Sequence, residues 1–337
     1  MPNSALRCGF VLFDGFSNMV LASAIEPLRA ARDYAGAGRF DWQLFSMTGG
    51  PAVSSSGMVL NPDAAVSAAE GFDILFVVAG YGARDHAQPA VIAALKRAER
   101  RVAALGGLDC GAWLLAAAGL LGGHRATVHW QDLDAFAETH PTVEVTTDRF
   151  AIDRRRITAG GATTVVDLML RLIGERGGRA LAYDVSNMFI YDVERVQSHG
   201  RGARSASLEA RAPQLIRAIA EMRRTQEQPL SLPRIAAHAA VSPRTLARLF
   251  ERELGLSPGH YYQNIRLASA RTLAEETALS ASDIAARTGF SSASSLARAL
   301  AGHFGQTIRS LRAGRLSHAM PSARGSAAAE DGAGDTG

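Results

Sequence analysis

Apolar positions along the chain follow two regimes. Continuous runs of strand length alternate with helical spacing up to about residue 195, and helical spacing without strands follows residue 212. Leu6–Asp14 (LRCGFVLFD) is an unbroken apolar run that stops at Gly15, the pattern of a strand buried on both faces. Asn18–Tyr34 then carries Met19, Leu21, Ile25 and Leu28 at helical spacing. Asp41–Met47 and Phe72–Ala79 read as further strands, Pro89–Glu99 as a helix and Val102–Leu105 as a short strand. Weaker strand signals lie at Arg125–His129, Val143–Thr146 and Arg156–Ala159, with helices between and after them. This alternation predicts an α/β sheet covered by helices and ending near Glu194.

Gln197–Arg211 is polar, glycine-containing and aperiodic, which predicts a linker over 196–212. Beyond it, Leu232–Gly255 (LPRIAAHAAVSPRTLARLFERELG) holds two helical patterns around a short break. Ser242 and Pro243 mark that break as an N-cap followed by a proline at the first helical position, where a missing N–H costs nothing. The layout predicts a helix-turn-helix whose second helix offers Arg244, Thr245 and Arg248 to the DNA major groove. The pattern then repeats. Ile284-Ala285-Ala286, Gly289-Phe290-Ser291 and Leu296-Ala297-Arg298 answer the first copy across a long helix, Tyr261–Glu276. The second recognition face, Ser294, Ser295 and Arg298, is less basic, and its serines suit phosphate contacts better than base readout. The expected domains are 1–195, 213–315 and a disordered tail over 316–337.

Charge sharpens the division. Residues 207–324 hold 16 arginines against 8 carboxylates, whereas residues 1–206 are nearly balanced, with 20 basic and 21 acidic side chains. A neutral body with a basic block suits a small-molecule domain joined to a nucleic-acid reader. No apolar run is long enough for a membrane span and the first residues form no secretory leader, so a cytoplasmic location is expected. Two cysteines, Cys8 and Cys110, make neither a disulfide framework nor a metal-ligand spacing.

The segment ELGLSPGHYYQNIRLASARTLAEET, together with GFSSASSLARAL and HFG, resembles the AraC/XylS family of transcription regulators over about Pro213–Arg312. The chain departs from that pattern at Leu296 and Leu300, where aromatic residues are usual, at Ile308 in place of proline, and at Leu311 in place of tyrosine. Leucine fills such core positions, so the resemblance still implies two helix-turn-helix units.

Upstream, Gly106–Gly122 (GGLDCGAWLLAAAGLLG) predicts a strand, a sharp turn at Leu108-Asp109-Cys110, and a helix from Gly111. Such an elbow exposes one side chain and can present a nucleophile; Cys110 with His129 and Glu26 is the catalytic reading. With VLFDGFSNMVLASAIEPLRAA and ATVHW, this stretch resembles the class I glutamine amidotransferase-like fold in its PfpI branch, and specifically the GlxA-like fusions to an AraC-type reader. The resemblance covers residues 6–195 and implies an α/β flavodoxin-like domain followed by an all-α double helix-turn-helix domain.

Aligned on Gly111, the elbow position falls on Asp109 rather than Cys110. No histidine follows to activate a thiolate, and the adjacent carboxylate raises a thiol pKa. The site therefore reads as a retired active site, with no catalytic residue, no metal and no cofactor expected. A binding pocket is expected at the carboxyl ends of the strands, formed by Glu26, Gly80, Tyr81, Asp109, Cys110, His129 and Trp130. Elbow N–H groups suit a ligand carboxylate; Asp109, Glu26 and the faces of Trp130 or Trp113 suit a cation. Trp113, in an apolar helix, also reads as plain packing. The pairing points to a zwitterionic nitrogenous metabolite of the betaine, carnitine or amino-acid type, a class that the resemblance also implies. The expected partners are promoter DNA, the effector, RNA polymerase and a second copy of the chain, with activation of catabolic genes as the outcome. The competing reading is a cysteine-dependent hydrolase or amidotransferase with a DNA reader attached.

Overall fold

A computed structural model describes residues 5–36, 38–189 and 212–318, with side chains to residue 313. The predicted linker, except its last residue Ala212, and most of the predicted tail lie outside these residues.

The first strands and helices are β1 (Leu6–Leu12), α1 (Asn18–Ala35) and β2 (Phe40–Ser46). Short strands β3 (Ala52–Val53), β4 (Val59–Leu60) and β5 (Ala64–Ala65) follow. Then come β6 (Ile74–Ala79), α2 (Pro89–Glu99), β7 (Ala104–Asp109), α3 (Gly111–Ala117), β8 (Arg125–Ala126) and α4 (Leu133–Thr139). After β9 (Glu144–Val145), the strands β10 (Phe150–Asp153) and β11 (Arg156–Ala159) precede α5 (Ala162–Gly177) and α6 (Arg179–Met188). Seven strands form one sheet in the order β10-β11-β7-β6-β1-β2-β5, parallel except for the antiparallel edge pair β10–β11.

The sheet is buried on both faces because β6 is apolar at every position and β1 at every position but the exposed Arg7. Leu6, Cys8, Phe10 and Leu12 of β1 enter one core with Ile74, Phe76 and Val78 of β6. The alternate residues Val11, Leu75, Val77 and Ala79 enter the other. Period-two geometry turns a continuous apolar run into two half-cores, which is why the run is legible as a doubly covered strand. Helices α1 and α5 close the first face, and α2 and α3 the second.

Two predicted elements shift. The strand expected at Val102–Leu105 starts later and runs on to Asp109, through Gly106-Gly107. Those glycines allow close packing within the sheet: a Cβ on Gly106 would stand 2.4 Å from the Phe76 ring. The signal at Arg125–His129 yields only the two-residue strand β8. The edge strand β10 and the hairpin β3–β4 are additions that short, half-polar segments did not announce.

The C-terminal part is helical: α7 (Pro213–Arg224), α8 (Leu232–His238), α9 (Pro243–Leu254), α10 (Pro258–Glu276), α11 (Ala281–Arg287), α12 (Ala293–Phe304) and α13 (Ile308–His318). The chain divides into two compact units, Met1–Thr225 with Leu230–Asn264, and Gln226–Pro229 with Ile265–Gly337. In the first unit, buried Asp184 of α6 accepts hydrogen bonds from Tyr261 Oη at 2.7 Å and from the Arg223 guanidinium at 3.1 Å. In the second, Leu296, Leu300 and Leu311 are buried in the core with Phe304, so leucine fills the positions where aromatic side chains were expected.

Candidate effector cavity and DNA-reading helices

The elbow is a consequence of three local facts. β7 delivers the chain to Asp109, whose φ of 60° is left-handed, a conformation that aspartate tolerates better than most residues. Cys110 follows with φ −84° and ψ 3°, and its N–H donates to the Ala79 carbonyl at 3.0 Å, pinning the turn to β6. Gly111 then begins α3 against the same strand: a Cβ there would stand 2.1 Å from the Val77 carbonyl oxygen. Only glycine lets the helix start so close to the sheet.

Above the elbow lies a cavity of about 570 Å³. Gly15 after β1, Gly80 after β6, Asp109 at the end of β7 and Gly161 after β11 all line it, so it sits at the carboxyl ends of parallel strands. Of the residues predicted for the pocket, Gly80, Tyr81, Asp109, Cys110 and His129 line the cavity, and Trp113 does too. Tyr81 is 84% exposed and stands at the mouth.

Two predicted residues are not brought to it. Glu26 lies on α1 and accepts from Arg29 Nε at 2.7 Å, an ion pair one helical turn along. Trp130 is 71% exposed and tilts against the His129 ring at 5.8 Å between centroids, outside the lining. The elbow amide is also spent: the Cys110 N–H faces the Ala79 carbonyl rather than a ligand.

The residues that sequence spacing missed are Arg84, Asp85 and Asp132, each of which lines the cavity. Trp113 Nε1 donates to Asp132 Oδ2 at 3.1 Å, and the Arg84 guanidinium carbon sits 3.7 Å from the centroid of the Trp113 ring. Arg84 Nη2 is 3.9 Å from Asp132 Oδ1. Edge-on contacts hold Trp113 from behind, with Phe136 at 5.0 Å and His140 at 5.5 Å. Trp113 is therefore both core packing and cavity wall. The GYGARD stretch after β6 carried the one available signal, an arginine and an aspartate beside two glycines at a strand end.

Electrostatics disfavour nucleophilic attack by Cys110. Asp109 is only 9% exposed, and burial pushes its carboxyl up to about 6, with His129 pulling in the other direction. The Cys110 thiol is driven far above its ordinary value, first by burial and then by Asp109 and Asp132. Its Sγ lies 3.8 Å from Asp109 Oδ1 and 3.5 Å from Asp132 Oδ2. Two carboxylates around a thiol suppress the thiolate, the reverse of what an activated cysteine needs. Cys8 is buried in β1 and its thiol is likewise raised, as a core side chain.

In the first helix-turn-helix, Ser242 caps α9 by accepting from the Thr245 N–H at 3.1 Å. The Thr245 hydroxyl lies 2.9 Å from the same Ser242 oxygen, so Thr245 completes a cap while Arg244 and Arg248 stand exposed on the helix. In the second, Ser295 forms a capping box with Ser292, accepting from the Ser292 N–H at 3.2 Å and donating to its carbonyl at 2.8 Å. Ser294 and Arg298 are exposed on α12. The first predicted face thus sets two arginines beside a capping threonine, and the second sets Arg298 and Ser294 beside a capping serine.

The sequence matches the DJ-1/PfpI family over residues 7–175 and a helix-turn-helix domain over residues 235–314. It is similar to the HTH-type transcriptional regulator CdhR of Pseudomonas aeruginosa, 39% identical over 88% of both chains. It is also similar to the HTH-type transcriptional regulator GbdR of the same species, 36% identical over 91% of this chain and 84% of that one. The HTH-type transcriptional regulator GlxA of Rhizobium meliloti is 35% identical over 91% and 95%. Among solved structures, a ThiJ/PfpI family protein from Pseudomonas syringae covers 65% of this chain and 87% of its own, with a TM-score of 0.50 and 22% identity, a likeness of fold alone.

Proposed function

Because the chain belongs to the DJ-1/PfpI family and carries the helix-turn-helix domain of a transcriptional regulator, we propose that it is an effector-responsive regulator whose cavity binds a small zwitterionic nitrogenous metabolite. The observation that carries this reading is the elbow itself. The residue in the left-handed turn is Asp109, a buried carboxylate, and the thiol beside it is suppressed. A carboxylate there is a poor nucleophile towards an amide, but it is a good partner for a cationic group. The cavity lining supports the charge pattern, with Asp85, Asp109 and Asp132 for a cation and Arg84 for a carboxylate.

In this reading residues 1–195 sense the effector and residues 213–315 read promoter DNA through Arg244, Arg248 and Arg298, with Thr245, Ser294 and Ser295 near the backbone. Effector binding shifts the population of a dimer towards the form that holds DNA and contacts RNA polymerase, activating catabolic genes. The energy of that shift comes from the difference in effector affinity between the two forms.

A calorimetric screen of carnitine, betaines and arginine against the full chain tests the effector class, paired with operator binding at fixed salt. The expected result is saturable binding of one of them, accompanied by a change in operator affinity, in both the wild type and Cys110→Ala. Absence of binding by every zwitterion, with an amide-hydrolysing turnover that Cys110→Ala abolishes, would replace this reading with the hydrolase.

A further inference from the structure

The cavity contains a cation site that the protein fills with its own side chain. The face of Trp113 is covered by the Arg84 guanidinium at 3.7 Å, and the indole N–H and that guanidinium converge on one carboxylate, Asp132. An aromatic face beside a carboxylate is the general recipe for holding a guanidinium or a quaternary ammonium group. Trp113 is buried and fixed from behind by Phe136, whereas the Arg84 side chain is 55% exposed and springs from the short turn Ala83–His86. The ring is thus part of the core, whereas the guanidinium on it is in contact with solvent. A half-exposed cation–π contact and a half-exposed ion pair are each weak, so a ligand cation of better shape can displace this one.

Removing Arg84 from the balance leaves Asp85, Asp109 and Asp132 against His129 in the lining, a clear excess of negative charge. We propose that Arg84 is a resident stand-in for the effector's cationic group. A guanidinium or quaternary ammonium ligand takes its place on Trp113 and Asp132, and the displaced guanidinium pairs with the ligand's carboxylate. This rests on reading the cavity as an effector site, and it adds how that site selects a zwitterion over a simple cation. A lone cation has to evict Arg84 and gains nothing from it, while a zwitterion evicts Arg84 and then uses it.

The test is titration calorimetry of the full chain with tetramethylammonium chloride and with glycine betaine, in the wild type, Arg84→Ala and Arg84→Lys. Arg84→Ala is expected to bind tetramethylammonium about fivefold more tightly than the wild type, while Arg84→Lys, which still places a cation on the ring, stays near the wild type. Betaine preference over tetramethylammonium should fall in Arg84→Ala. Since Arg84 is half-exposed, its melting temperature serves as the check that the fold is intact. Tetramethylammonium affinity that is unchanged, weakened or absent in Arg84→Ala overturns the proposal. If tetramethylammonium tightens as expected but betaine binds neither protein, the resident-cation site stands and the effector class is what fails.

Discussion

The cavity and the first recognition helix both depend on a few charged side chains, and the protein builds them in opposite ways. The cavity assembles its charges from the ends of separate strands and their loops: Arg84 and Asp85 after β6, Asp109 on β7, and His129 and Asp132 after β8. Asp109 is desolvated and its carboxyl raised to about 6, and Asp132 is engaged by Trp113 and Cys110. The reader takes Arg244 and Arg248 from one helix, α9, and leaves both in water. Burial is what separates the two. In the cavity a desolvated charge costs stability; on α9 an exposed arginine costs almost nothing.

The largest expected effect breaks the cavity's frame. Gly111→Ala drives a Cβ to within 2.1 Å of the Val77 carbonyl oxygen, a backbone atom that cannot swing aside, and is expected to cost about 3 kcal/mol or more in urea unfolding. The matching change on the reader, Gly255→Ala at the end of α9, meets no atom within 4 Å and pays only for its φ of 71°, about 1 kcal/mol.

Next is Asp109→Asn, which keeps a residue tolerant of the left-handed turn but removes the charge. The folded carboxyl titrates at about 6, above its unfolded value, so its stabilising contribution is complete below about pH 4 and is lost as the pH rises through 6. The variant should therefore be more stable than the wild type above pH 7, by about 3 kcal/mol at most, and the two should converge near pH 4. Parallel curves across that range would mean that Asp109 is not desolvated in solution.

The smaller effects lie on DNA. Arg244→Ala and Arg248→Ala are each expected to weaken operator binding by about 1–3 kcal/mol at matched salt, with little change in melting temperature. Arg298→Ala, on the less basic of the two faces, should cost less than either. Equal losses from the two units would remove the asymmetry between their recognition faces.

Much of this is legible in the sequence. The apolar run at Phe72–Ala79, the helix over Asn18–Tyr34 and the Ser242-Pro243 start of α9 appear where local pattern put them, because each is decided by neighbours along the chain. The elbow was legible for the same reason. Glu26 misled because its neighbours Ile25 and Leu28 face inward, whereas its own side chain finds Arg29 on the helix surface. Thr245 and Ser295 were read as DNA contacts from their places on the helix, and each is also a capping residue.

By itself, the sequence determined the α/β and all-α fold classes, the helix starts and the presence of a carboxylate in the elbow, since local spacing, capping and backbone sterics act over a few residues. Only the tertiary structure decided that Arg84 lies on Trp113, that Asp132 closes that pair, and that Glu26 and Trp130 stand outside the cavity. Those outcomes depend on which strand ends converge above the sheet, and hence on the order of strands rather than the order of residues.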